Sequence, residues 1–157
     1  MHTLRRHDLA ISEKEAWQLL KEAEIGFLAT ADKKGNPYGI VLNHVAGDDC
    51  LYFHSAEEGR KMDHIKENPQ VTYTVVPEHK VLPEKKSASY KSAVVFGKAL
   101  IVTDEKEKRK ALKKLMEKYS PGYDCAPLNN LAEDMKTGVV KIVPEQITGK
   151  QSADRKK

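Results

Sequence analysis

Cysteine is nearly absent from the chain: there are two in 157 residues, Cys50 and Cys125, with no Cys-x-x-Cys pair. That excludes a disulfide framework and offers neither a zinc cage nor a dithiol redox couple, so both are expected to be free, inert thiols. Long apolar runs are missing too. None approaches the roughly 20 residues that span a bilayer, and Met1 to Asp8 lead into no apolar signal segment, so the sequence predicts a soluble, cytoplasmic protein. Aromatic residues are sparse, with one Trp and three Phe, which leaves few platforms for stacking nucleic-acid bases. The body of the chain also lacks an excess of either charge. The formal charge is +4, but four of the 27 cations and one of the 23 anions lie in the last eight residues, leaving 23 against 22. A nearly neutral body with a basic end is not a nucleic-acid-binding domain.

What is present is enough apolar material, 39% of the residues, for one hydrophobic core in a chain of single-domain length. The sequence predicts one domain over residues 1–149 and a basic, flexible tail over 150–157. Ser12 and Glu15 have capping-box spacing and Trp17, Leu20 and Ala23 follow at helical intervals, giving a first helix from Ser12 to Glu24. Apolar runs then read as strands over Ile25 to Ala31, Tyr38 to Val45 and Cys50 to His54, joined by polar turns into an antiparallel meander. A short helix over Glu58 to Glu67 stops at Asn68 and Pro69, and a fourth strand covers Val71 to Val76. Pro77 to Ser87, with two prolines and three lysines, is expected to be a mobile loop. Ser89 to Thr103 reads as a long strand bent at Gly97. Asp104 caps a helix whose apolar stripe is Ala111, Leu112, Leu115, Met116 and Tyr119. A helical turn at Leu128 to Lys136 and a sixth strand at Val139 to Val143 complete the pattern. The expected fold is α+β, a small six-stranded, mostly antiparallel barrel with peripheral helices. Side chains fill such a barrel, so a ligand must bind outside it, at an edge, or between copies.

The segment from Leu51 to Pro69 is the chemically informative one, because it brings a strand end, a hydroxyl and two cations to the start of a helix. Helix N-termini carry unsatisfied N–H groups and partial positive charge, so Arg60 and Lys61 sit on the wrong side of the dipole unless an anion joins them. A phosphate would do so, taking a hydroxyl from Ser55, a bidentate fork from Arg60 and a compact charge from Lys61. The plain alternative is that Glu57 and Glu58 balance the helix start and both cations are solvated. His54 precedes Ser55 and could act as a proton donor or as a structural histidine. His44, His54 and His64 are equally spaced but lie on two strands and a helix without a carboxylate pattern, so no metal site is expected.

The run from Gly39 to His44, then Tyr52 to Ser55, then Arg60 and Lys61 with Asn68 and Pro69, and finally Tyr90 to Gly97, resembles the FMN-binding split-barrel proteins related to pyridoxamine 5′-phosphate oxidase. Arg5, Arg6 and the stretch from Ile147 to Lys150 are also in keeping, and the likeness is greatest to the nitroimidazole-resistance (Nim-type) branch. The resemblance implies a homodimer of Greek-key split barrels with two FMN molecules at the interface. It places the phosphate on Ser55, Arg60 and Lys61, the strand of Val41, Leu42 and Asn43 along the isoalloxazine, and Ser92 on the partner subunit's flavin. It also places an active histidine at His54, beside the flavin, where it could donate a proton to the substrate or a hydrogen bond to the cofactor. The implied function is FMN-dependent reduction of a small aromatic or nitro-type compound with electrons from an external donor. A flavin-storage or sensing protein without turnover is the alternative, and some relatives use haem or F420. After Gly149 the substrate-binding residues of the oxidase have no recognisable equivalents, so pyridoxamine phosphate oxidation is not expected.

Overall fold

A computed structural model of the chain describes residues 4–122 and 137–155. Cys125 and the helical turn expected at Leu128 to Lys136 lie outside the described residues. Among the described residues three α-helices, α1 (Glu13–Glu22), α2 (Arg60–Glu67) and α3 (Glu105–Tyr119), surround an antiparallel sheet. The strands are β1 (Ala10–Ile11), β2 (Ile25–Ala31), β3 (Pro37–Asn43), β4 (Val45–Ala46), β5 (Leu51–Ala56), β6 (Gln70–Leu82), β7 (Ser87–Ile101) and β8 (Thr137–Gln151). They number eight, because the two-residue strands β1 and β4 join the six expected. The sheet runs in the order β3-β2-β6-β7-β8-β5-β4, with β1 added to β8. It curls until β3 touches β5, so the two ends of the sheet meet as a partly open barrel.

Local sequence accounts for the helices. Ser12 closes a capping box with Glu15, and Ala16, Leu19 and Leu20 drive α1 into the barrel core beside Leu28, Phe53, Tyr73, Val95 and Ile142. Each such large aliphatic or aromatic side chain, fully buried, contributes about 1.5–3 kcal/mol. Asp104 caps α3 through the Glu107 amide, and Ala111, Leu112 and Leu115 pack with Val102 and Val139 against the outer side of the sheet.

Three expectations fail. The strand expected over Tyr38 to Val45 is cut at His44, and the meander with it: β3 pairs with β2, whereas β4 forms a hairpin with β5 and β5 continues onto β8. The cause is His44, whose buried ring bonds the Leu20 carbonyl at 2.6 Å and Tyr73 at 2.8 Å. Its backbone meanwhile turns to the side chains of Lys118 and Tyr119. The loop expected over Pro77 to Ser87 is mostly ladder. β6 pairs with β7 as far as Leu82 and Ser87, and Pro77 falls in the bulge between Val75 and Glu78 where a missing N–H costs no bond. The last strand runs far beyond Val143: Lys150 and Gln151, expected in the tail, pair with β7, and Arg155 bonds Ser89 and Glu78. The bend at Gly97 is present, marked by a register shift between β7 and β8. Among the described residues no helix is long and apolar enough to cross a membrane.

Candidate functional site

Three residues separate the end of β5 from the start of α2, and the turn they make depends on Gly59. Its φ of 112° and ψ of 165° lie where an L side chain is strained. Gly59 is the N-cap of α2, so no side chain caps this helix. Arg60 and Lys61 occupy its first two positions. The Lys61 ammonium reaches back to donate to Ser55 Oγ, and Ser55 is buried while giving its own proton to the Ala56 carbonyl at 2.8 Å. Partial burial pushes the Lys61 ammonium below its usual pKa.

Among the described residues Arg60 and Lys61 form no ion pair, and the nearby Glu57 turns instead to Lys108 of α3 at 3.9 Å. This geometry weighs against a helix start balanced by its own glutamates. An ammonium on a buried hydroxyl thus stands beside an uncapped helix start whose first residue carries a guanidinium over Tyr38, and the exposed N–H groups and two cations of that first turn suit a phosphate.

The other candidate residues are distributed around this cluster. β3 is the edge that meets β5, and its alternation points Tyr38, Ile40 and Leu42 towards the core and Val41 and Asn43 outward. Val41 is 58% exposed. The Asn43 amide donates to the Glu24 carbonyl at 3.2 Å. His54 is exposed, and its ring has no hydrogen-bond partner among the described residues. It follows that His54 and Ser55 face opposite sides of β5. Ser92 lies on β7, paired with Lys150, and is not brought to the Ser55 cluster within one chain. It shares the outer face of the sheet with Val94 and Phe96.

Sequence reasoning missed Tyr38. Its ring lies under Arg60, with the guanidinium carbon 5.4 Å from the ring centroid, and it meets the ring of His64 edge-on at 6.0 Å and 74°. The inward alternation of β3 was the available signal, although it could not say what Tyr38 would touch. His44 and His64 are both buried and bonded within the fold, and no metal-binding group of His, Cys, Asp and Glu occurs among the described residues.

Solved structures of similar architecture include flavin-binding proteins. A candidate 5-nitroimidazole antibiotic resistance protein of Bacteroides thetaiotaomicron is 28% identical over 96% of each chain, with a TM-score of 0.72. A FAD-binding protein of Mesorhizobium loti is 26% identical over 92% of this chain and 97% of its own, with a TM-score of 0.67. A FAD- and haem-binding protein of Mycobacterium smegmatis shares the fold at a TM-score of 0.73 and 19% identity, over 90% of this chain and 72% of its own. No curated protein matches the chain. The match that classifies it covers residues 12–151, from the capping serine of α1 to the last residue of β8, and by it the chain belongs to the pyridoxamine 5′-phosphate oxidase family.

Proposed function

We propose that the chain is an FMN-dependent oxidoreductase that reduces a small aromatic or nitro-type compound with electrons from an external donor, working as a homodimer with flavin at the interface. The observation that carries this reading is the pair Arg60 and Lys61 at the uncapped start of α2, without an ion pair among the described residues and with Lys61 already on Ser55. A phosphate monoester completes that arrangement, and FMN has one. When bound, the flavin supplies the redox chemistry, accepting electrons from the donor and passing them to the acceptor.

The protein's part is binding, orientation and proton supply. Ser55, Arg60 and Lys61 hold the phosphate. The outer edge of β3 offers backbone donors and acceptors to the polar rim of the ring system, with Val41 as apolar contact. Leu42 serves the core, and Asn43 holds the strand to the end of α1. Ser92 reaches the partner subunit's flavin, which accounts for its distance from the cluster within one chain. His54, exposed and unpaired among the described residues, supplies the proton that nitro reduction consumes.

Two measurements test the reading. The visible spectrum of the purified protein is expected to be that of a flavin, and a haem band would overturn the cofactor assignment. FMN should bind far more tightly than riboflavin, because charge-assisted bonds worth about 1.5–3 kcal/mol each are made only to the phosphate. Arg60→Ala should then weaken FMN by about one to two orders of magnitude and leave riboflavin nearly unchanged. Equal affinity of the wild type for the two flavins removes the phosphate site.

A further inference from the structure

We infer that Tyr38 is a positioning residue of the anion site, its ring holding the Arg60 guanidinium in the place where a flavin phosphate meets it. The inference rests on the phosphate reading of Ser55, Arg60 and Lys61. Arg60 is exposed and, among the described residues, has no carboxylate partner. An arginine in that setting samples many rotamers, and the entropy of fixing it is charged to each ligand it binds. The ring beneath it changes this. At 5.4 Å from guanidinium carbon to ring centroid, the contact is within cation–π range, and it leaves the N–H fork to bond an anion.

Tyr38 can do this because it is itself held on several sides. It is half-buried on β3 and paired directly with Thr30 of β2. The Thr30 hydroxyl donates its single proton to the Tyr38 carbonyl at 3.2 Å, so at 3.1 Å it accepts from the Nδ1–H of His64. The His64 ring, in turn, stands edge-on to the Tyr38 ring. Arg60 and His64 are four residues apart on one face of α2. A single tyrosine therefore contacts both ends of that helical ridge, and the closed chain Thr30, Tyr38, His64 fixes the height and angle of the platform on which Arg60 lies. A residue serving only to staple α2 to the sheet would need His64 alone.

The test compares FMN and riboflavin affinities of the full-length protein by fluorescence titration, for wild type, Tyr38→Leu, Tyr38→Met, Tyr38→Phe and Arg60→Ala, and for Tyr38→Leu in the Arg60→Ala background. Loss of the aromatic face should weaken FMN about three- to thirtyfold, the range for a cation–π contact from partly exposed to desolvated. Riboflavin, which has no phosphate, should bind as before, and Tyr38→Phe should keep wild-type affinity for both. In the Arg60→Ala background the tyrosine change should cost FMN nothing further. Tyr38→Met repeats the measurement in a flexible side chain should Tyr38→Leu fail to fold. Equal losses of both flavins, or an undiminished preference for FMN in Tyr38→Leu and Tyr38→Met, would overturn the positioning role. If Arg60→Ala itself leaves the FMN preference intact, the phosphate site fails and Tyr38 with it, a result distinct from Arg60 mattering while Tyr38 does not.

Discussion

Consecutive residues on a strand point to opposite faces, and at His54 and Ser55 that rule divides two tasks between neighbours. Ser55 turns inward and is bonded to Lys61. His54 turns outward, exposed and unpaired among the described residues. Removing it should therefore cost the fold little. In His54→Ala we expect flavin content and melting temperature to stay at wild-type values, with reduction of a nitroaromatic acceptor slowed by about two to four orders of magnitude, the usual contribution of a positioned general acid. Unchanged turnover would rule out a catalytic His54, and a joint fall of stability and flavin content would make it structural. The sequence made Ser55, Arg60 and Lys61 conspicuous because their meaning is local: two cations in the first turn of a helix are out of place without an anion. The equally spaced histidines carried no such information. His44 and His64 differ from His54 through partners more than 20 positions away in the chain, and burial holds the His44 imidazole down at about 4, neutral at physiological pH. Tyr38 was hidden for the same reason, since its partner Arg60 lies 22 positions along the chain.

At the scale of elements, Gly97 shows how the long strands stay together. β8 carries one residue more than β7 between the pairs Phe96 with Gln146 and Gly97 with Pro144, which brings the two backbones close. A Cβ on Gly97 would stand 2.2 Å from the Val143 carbonyl oxygen and 3.0 Å from the Pro144 Cα. Both obstacles are backbone, so no rotamer change relieves them. Gly97→Ala should destabilise the protein by about 1–3 kcal/mol, the usual cost of overpacking a tight site. The corresponding drop in melting temperature is several degrees for a domain of this size. A melting temperature equal to wild type would show that the ladder opens there freely. The bend was legible because a glycine inside a β-branched run weakens the strand and so marks a bulge or a close approach of backbones. Helices α1 and α3 were legible because their caps lie within three residues of what they cap. The cut at His44 and the extension of β6 past Pro77 were not legible. The ring of His44 is held by Leu20 and Tyr73, each more than 20 positions away, and past Pro77 the chain forms a hairpin with the adjacent β7, although the prolines and lysines there have the composition of a loop.

For the whole molecule, the outer face of the sheet poses the remaining problem of burial. Val41 on β3 pairs with Phe27 on β2, Phe27 with Thr74 on β6, and Thr74 with Val94 on β7, one continuous row across four strands. Ile25, Phe27, Val41, Val76 and Phe96 on this side of the sheet are each at least 40% exposed. Contiguous apolar surface of this kind on a chain with 32% charged residues is a feature of association sites. Ser92, which shares this face, pairs with Lys150, whereas Ser55 pairs with Gly138, twelve positions away along β8. A second copy docked here would cover the apolar row and supply that serine in the same step, so dimerisation and flavin retention should fail together. Phe27→Asp places an unpaired charge in the middle of the row while leaving the core-facing side of β2 untouched. In light scattering the wild type is expected at twice the chain mass, whereas Phe27→Asp should shift towards the monomer and lose flavin on gel filtration while its far-UV circular dichroism stays native. A wild-type monomer that keeps one FMN per chain would show that the site is complete within one subunit, and with it the roles given to this face and to Ser92 would fall.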